Sequence, residues 1–336
     1  MKALQVIQPR SFSLVQVPNP VLDIDRRNFI LVHTAWVSMC GSDIPFFCGR
    51  KPNLPYPLRS GFPIHECVGQ VVQSTSETFQ PGDWVLAIPE ESRGLAEYFI
   101  ARTDKAVLLS DELHDKSKCC LIQPLATVIN GLDRLGDISG SSVAVVGLGS
   151  IGQLFIWLLK KRGAGRIIGI DPIGSRCSAA EKLGADQTFP MQSNEFIRHA
   201  EDNDLVPVSI CIEAVGHQMQ TINDCFEIIQ KEGTVLAFGV PDQDVYSIEY
   251  ETFFRKNARL VAAVAPAWQE YLKKAYDLFV EFQDELSLFI THQFSIEDAE
   301  DAFKAYADHA DGIIKAVIDL SPWENKNGYK LNGENN

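Results

Sequence analysis

Apolar residues follow two different rhythms along the chain. From Met1 to about Val107 they form short runs, ALQVI, FILVHTAWV, ECVGQVV, DWVLAI and AEYFIA, cut by turns bearing Pro and Gly, which predicts an all-β domain. From Ser142 strand-like and helix-like runs alternate: SVAVVG, IGQLFIWLLKKRG, RIIGID, SRCSAAEKLGA, VSICIEAVG, MQTINDCFEIIQ and GTVLAFG. That alternation predicts a parallel sheet covered by helices. Beyond Ala265, the helical YLKKAYDLFVEF, the strand-like FITHQF, the helical IEDAEDAFKAYADH and the strand IIKAVIDL follow without a linker rich in Gly or Ser, and are expected to return to the β-domain. The tail from Ser321, SPWENKNGYKLNGENN, is polar and rich in Asn; with so little apolar surface to bury it is expected to be disordered.

Length and charge narrow the chemistry. The 336 residues, 46% of them hydrophobic, suit two packed cores, since single cores stop growing at roughly 250–300 residues. A net charge of −14 argues against broad electrostatic binding to nucleic acid or an anionic membrane. No window approaches the roughly 18 apolar residues of a membrane span, and the opening MKALQVIQPRSF has no apolar run after its lysine. A cytoplasmic protein acting on small molecules is expected. Eight cysteines are scattered along the chain with no Cys-x-x-Cys pair. A disulfide framework is therefore not expected, and any zinc must be held by dispersed ligands.

Gly147-Leu148-Gly149-Ser150-Ile151-Gly152 follows the strand SVAVV and opens the helix after it, the context of a dinucleotide-binding turn. Gly147 would permit the tight turn, Gly149 the approach of a pyrophosphate, and Gly152 the packing of helix on strand, with the helix N-terminus favouring negative charge. Asp171 ends the next strand, where a carboxylate accepts hydrogen bonds from the ribose and repels a 2′-phosphate, so NAD is favoured over NADP. Arg176 nearby either stacks on adenine, pairs with a phosphate or is simply a surface charge.

Cys40-Gly-Ser42-Asp43 follows the strand FILVHTAWV, and His65-Glu66 precedes another. Thiol, imidazole and carboxylate are the ligand types of an open catalytic zinc site. The spacing by itself is unspecific, and on it alone a buried thiol beside a core histidine is the default reading.

CGSD, the segment His65–Gly69, PGDWV at Pro81–Val85, AEYF at Ala96–Phe99, PLA at Pro124–Ala126 and the glycine motif occur in the order seen in medium-chain dehydrogenases. EAVG at Glu213–Gly216, GTVLAFGV at Gly233–Val240, and HQFSIEDAEDAF followed by IIKAVIDL do so as well. On these residues the chain from 1 to 320 resembles the zinc-dependent alcohol and polyol (sorbitol-type) dehydrogenases of the medium-chain dehydrogenase/reductase superfamily. The fold this implies is α/β plus β: a Rossmann doubly wound parallel-sheet domain, residues 125–266, inserted into a GroES-like β-barrel catalytic domain, residues 1–124 and 267–320. The resemblance implies that Cys40, His65 and Glu66 bind or flank one catalytic Zn2+, with Glu66 exchanging with substrate or water. It implies that Asp43 orients His65 and that Ser42 relays the substrate proton. Val215, Gly216, Gly239 and Val240 would hold the nicotinamide, unless they are ordinary turns after sheet strands. A homodimer or homotetramer joined through Arg259–Val264 is implied too.

The chain also departs from that pattern. After PGDWVLAIP it runs straight through EESRGLAEY, without the cysteine-rich lobe, so no structural zinc is expected. Gln123 stands where sorbitol-type members carry a glutamate on the metal or its water; its amide oxygen is kept as a weak metal ligand. Pro45 replaces a relay histidine, and Ile64 replaces a glycine. Phe46, Phe47, Tyr56 and Trp268 belong either to a substrate pocket or to the core. The reading is an NAD-linked zinc dehydrogenase oxidising a secondary alcohol of a polyol, cyclitol or sugar, or reducing the ketone, with no nucleic-acid or membrane partner. Two alternatives stay open: a zinc-free NAD(P)H-dependent enone or quinone reductase of the same superfamily, and a non-catalytic nucleotide-binding protein.

Overall fold

The short apolar runs before Val107 form strands β1 (Lys2–Gln8), β3 (Phe29–Ser38), β4 (Glu66–Ser74), β5 (Trp84–Ala87) and β6 (Tyr98–Arg102). They are joined by β2 (Ser11–Gln16), helix α1 (Ile44–Phe47) and β7 (Ala106–Leu108). Helix α2 (Ile122–Asp133) precedes a regular alternation: β8 (Ser142–Val146), α3 (Ser150–Lys161), β9 (Arg166–Ile170), α4 (Gly174–Leu183), β10 (Gln187–Phe189), α5 (Ser193–Asp202) and β11 (Val208–Glu213). It continues through α6 (Gln220–Ile228), β12 (Ile229–Ala237), α7 (Tyr250–Arg255) and β13 (Arg259–Ala262). The chain then forms α8 (Trp268–Glu281), α9 (Gln283–Ser287), β14 (Ile290–Ser295), α10 (Ala299–Ala307) and β15 (Lys315–Asp319). This computed structural model describes residues 1–51 and 53–323. Two compact units separate within it, one of Met1–Ala126 with the chain from Ala267 onward, the other Thr127–Pro266.

In the first unit the strands run in the order β14-β15-β3-β4-β5-β7, with β6 also on β3. Strand β3 is buried along nearly its whole length, which is why FILVHTAWV is apolar at most positions and shows no strict alternation. Its inward side chains Ile30, Val32 and Val37 join Phe47, Ile64, Phe303 and Trp323 in one core. The segments after Ala265 do return to this sheet: β15 pairs antiparallel with β3, and β14 lies parallel to β15.

The second unit is a six-stranded sheet, β10-β9-β8-β11-β12-β13, parallel at every pairing. Its core gathers Ala144, Val146, Ile168, Ile170, Cys211, Phe226 and Val235. The parallel Rossmann-type sheet and the antiparallel GroES-like sheet are thus both present.

Some elements escaped the sequence pattern. Strand β2 pairs only with β1 and buries little, so its apolar signal is faint. Strand β10 and helix α5 are short and largely polar, and β12 begins at Ile229, inside a stretch that reads as the end of a helix. The expectation of a disordered tail from Ser321 is corrected at its start. Ser321–Trp323 form a single turn, the Trp323 amide donates to the Leu320 carbonyl at 2.9 Å, and Trp323 is buried in the first unit's core. One large aromatic was enough to anchor that turn; residues 324–336 lie outside the described residues.

Candidate metal centre and cofactor loops

Strand pairing brings the metal-type residues together. Antiparallel β3 and β4 place Ser38 opposite Glu66, so the Cys40 loop leaving β3 and His65 entering β4 meet at one end of the sheet. One ligand atom each from Cys40, His65 and Glu66 lies within 4.8 Å of the other two. The edge of a zinc tetrahedron with bonds of about 2.0–2.3 Å is about 3.5 Å, so these atoms stand within reach of a single ion.

Asp43 organises the first two. Its Oδ2 accepts from the Cys40 amide at 2.8 Å, and its Oδ1 lies 3.1 Å from His65 Nδ1. With Nδ1 engaged, Nε2 is left as the lone-pair donor. Burial opposes a charged imidazole, yet Asp43 and Cys40 together hold the His65 pKa well above its usual value. A field that favours a proton on His65 favours a cation in its place. Ser42 sits half-buried on the same turn, and Ile64 is fully buried with an ordinary negative φ.

Glu66 has two differently employed oxygens. Oε2 accepts from Ser38 Oγ and lies 2.5 Å from Lys315 Nζ, while Oε1 is buried with no hydrogen-bond partner. An orphaned carboxylate oxygen beside a thiol and an imidazole fits a divalent cation. Lys315 and Glu66 are both 0% exposed, and Lys315 Nζ also donates to the Met39 carbonyl at 2.8 Å. Burial alone would lower the ammonium's pKa; the Glu66 charge outweighs it and the pKa is raised. Sequence reasoning missed Lys315, although a lysine flanked by apolar residues in IIKAVI was the available signal. Gln123 is buried in the first turn of α2, just after a turn that packs on β3, β4 and β15. Phe47 is core, Phe46 stacks edge-on against Phe62, Tyr56 donates to the Phe46 carbonyl, and Trp268 is half-buried at the start of α8.

In the second unit each glycine of the fingerprint has its own geometry. Gly147 has φ +90°, and a Cβ on Gly152 would lie 1.9 Å from the Gly147 carbonyl oxygen. A Cβ on Gly149 would meet nothing within 4 Å, so that side of the turn is open. Ser150 and Ile151 begin α3. Asp171 is 3% exposed; its Oδ2 accepts from the Leu148 amide and its Oδ1 from the Ile173 amide, each at 2.8 Å. Arg176 Nη1 lies 3.5 Å from Asp171 Oδ2. Val215 and Gly216 follow β11, Gly239 and Val240 follow β12, and the two loops touch through the His217 amide and the Val240 carbonyl at 2.8 Å.

Comparison with known proteins agrees with both halves. Residues 26–111 match the alcohol dehydrogenase GroES-like domain and residues 150–281 the zinc-binding dehydrogenase family. A sorbitol dehydrogenase of Bacillus subtilis (strain 168) is 24% identical over 95% of this chain and 97% of its own length. D-arabinitol dehydrogenase 1 of Uromyces fabae is 25% identical over 72% of this chain and 76% of its own. Galactitol-1-phosphate dehydrogenase from Escherichia coli superposes with a TM-score of 0.79 at 20% identity, covering 95% of this chain and all of that one. The chain belongs to the zinc-type alcohol dehydrogenases of the medium-chain dehydrogenase/reductase superfamily, oxidoreductases that use zinc and a nicotinamide cofactor.

Proposed function

We propose that this protein is an NAD-linked dehydrogenase that oxidises a secondary alcohol of a polyol, cyclitol or sugar, or reduces the matching ketone, with one catalytic zinc per chain. The convergence of Cys40, His65 and the unpartnered Glu66 Oε1 carries the reading. Relatives whose names include sorbitol, D-arabinitol and L-idonate dehydrogenase support a polyhydroxylated substrate.

Zinc, when bound, supplies Lewis acidity that makes a substrate hydroxyl easier to deprotonate. Cys40 and His65 would hold it, with Glu66 Oε1 as an exchangeable ligand and Gln123 as a weak one. Asp43 fixes the His65 tautomer, and Ser42 accepts the hydroxyl proton and passes it to water. Gly147, Gly149, Ser150, Ile151 and Gly152 receive the pyrophosphate on the N-terminus of α3. The Asp171 carboxylate selects NAD by repelling a 2′-phosphate, and Val215, Gly216, Gly239 and Val240 hold the nicotinamide. A homodimer or homotetramer forms through β13: it is an edge strand, and Leu260 and Val264 near it are 40% and 80% exposed. Eight free thiols suit a reducing cytoplasm.

The experiment is metal analysis of protein purified without chelator, beside a Cys40→Ser variant, followed by a polyol panel with NAD and with NADP. About one zinc per chain, lost in the variant, with polyol oxidation preferring NAD, is the expected result. Protein that binds NADH yet neither holds nor takes up zinc overturns the reading in favour of the zinc-free reductase.

A further inference from the structure

Glu213 closes strand β11 and is 1% exposed. Its Oε1 accepts from the Val215 amide at 3.0 Å, the Gly216 amide at 2.9 Å and the Thr221 hydroxyl at 2.9 Å. Its Oε2 accepts from the Gly239 amide at 3.2 Å. One buried carboxylate thus gathers donors from the loop after β11, the start of α6 and the loop after β12. The loops lie backbone against backbone: a Cβ on Gly239 would come 2.2 Å from the Gly216 nitrogen and 2.4 Å from Glu213 Oε2, and a Cβ on Gly216 2.6 Å from the Val240 nitrogen. Glu213 holds both loops by their backbone amides: its own carbonyl also accepts from the Gly239 amide at 3.0 Å, and its carboxylate is where amides of the two loops converge. Hydrogen bonds to an ionised acceptor are about twice as strong as neutral ones.

We propose that Glu213 is a positioning residue that locks Val215–Gly216 and Gly239–Val240 into the single arrangement that receives the nicotinamide ring. The proposal rests on the reading of those loops as the nicotinamide holders. Glu213 touches no reacting atom; it acts through the loops, and without it the binding-competent arrangement is one of several, which weakens apparent affinity by the fraction lost.

The test is Glu213→Gln. One amide oxygen still serves Val215, Gly216 and Thr221, but the amide nitrogen turned toward Gly239 cannot accept, so the side-chain link between the loops is lost while the backbone bonds Gly239–Glu213 and His217–Val240 remain. NADH and ADP-ribose are titrated against wild type and variant; ADP-ribose carries the adenosine, pyrophosphate and second ribose but no nicotinamide. The expected result is a rise in NADH Kd of about tenfold or more, with ADP-ribose changed less than about twofold. Thr221→Val, which removes one donor and leaves the carboxylate, is expected to give a smaller rise of the same ligand-selective kind, and decides the matter if Glu213→Gln does not fold. Equal weakening of both ligands, or of neither, overturns the assignment. Wild-type protein that binds NADH no more tightly than ADP-ribose overturns the nicotinamide reading of the loops, and the role of Glu213 with it.

Discussion

Removing the Lys315 ammonium while leaving Glu66 in place would expose the cost of the buried pair at the candidate metal centre. Both side chains are 0% exposed and their charged atoms are 2.5 Å apart, so no solvent screening reduces the effect. Lys315→Met keeps the volume of the stem but strips Glu66 of its counter-ion and the Met39 carbonyl of its donor. Breaking one partner of such a pair costs about 3–5 kcal/mol, whereas replacing both by neutral groups is often close to neutral. Glu66→Gln/Lys315→Met is therefore expected to be more stable than Lys315→Met alone, with a coupling energy of about 2 kcal/mol or more. Urea unfolding followed by tryptophan fluorescence reads this out, because Trp36, Trp84, Trp268 and Trp323 lie in the unit that holds the pair and Trp157 alone lies in the other. Working in EDTA keeps zinc occupancy out of the comparison. A Lys315→Met cost below about 1 kcal/mol, or a double variant no better than the single, would refute the argument that Glu66 depends on this ammonium.

Gly149→Ala is expected to leave stability within about 0.5 kcal/mol, since its Cβ meets nothing, yet to weaken NADH binding, while Gly152→Ala costs about 1–3 kcal/mol by forcing a Cβ onto the Gly147 carbonyl; melting curves and NADH titrations of both variants check the contrast. The Glu300 carboxyl is held below its usual pKa by Lys304 and by the Phe12 amide. That stability is present above the unfolded pKa of about 4.3 and lost as pH falls through the folded value, so the deficit of Glu300→Gln relative to wild type, measured by urea midpoints, is expected to shrink on acidification and not to stay constant. Trp323→Ala is expected to destabilise the first unit by about 3 kcal/mol, and an unchanged urea midpoint would contradict its burial in that core.

Where one apolar period dominates, the sequence announced the fold. FILVHTAWV is apolar at most positions because β3 is covered on both faces, and GLGSIG between a strand and a helix left little choice of structure. Strand β10 is too short to show a period and helix α5 has few apolar residues to mark one, and Ser321–Trp323 owes its order to one indole that composition averages away. At the site, residue types pointed to Cys40, His65 and Glu66, while Asp43 emerged only with the resemblance. Ser38 and Lys315 became visible only through strand pairing, because their contacts with Glu66 are remote in sequence, that of Lys315 by most of the chain. The proximity of Arg176 to Asp171 likewise came only from the structure, which sets their charged atoms 3.5 Å apart.

The position of β15 bears on biosynthesis. It lies against β3 at the middle of the sheet, yet it is made after the whole of Thr127–Pro266. During translation the thiol, imidazole and carboxylate that meet at the end of β3 and β4 exist long before the ammonium that neutralises Glu66. The nucleotide unit is one unbroken stretch and can complete its sheet while the other waits with an open seam between β3 and solvent. Late maturation is thus written into the order of the strands: nascent chains halted before Lys315 should carry a finished nucleotide unit beside a half-built frame, and it is this interval that exposes β3 to mispairing and to chaperones.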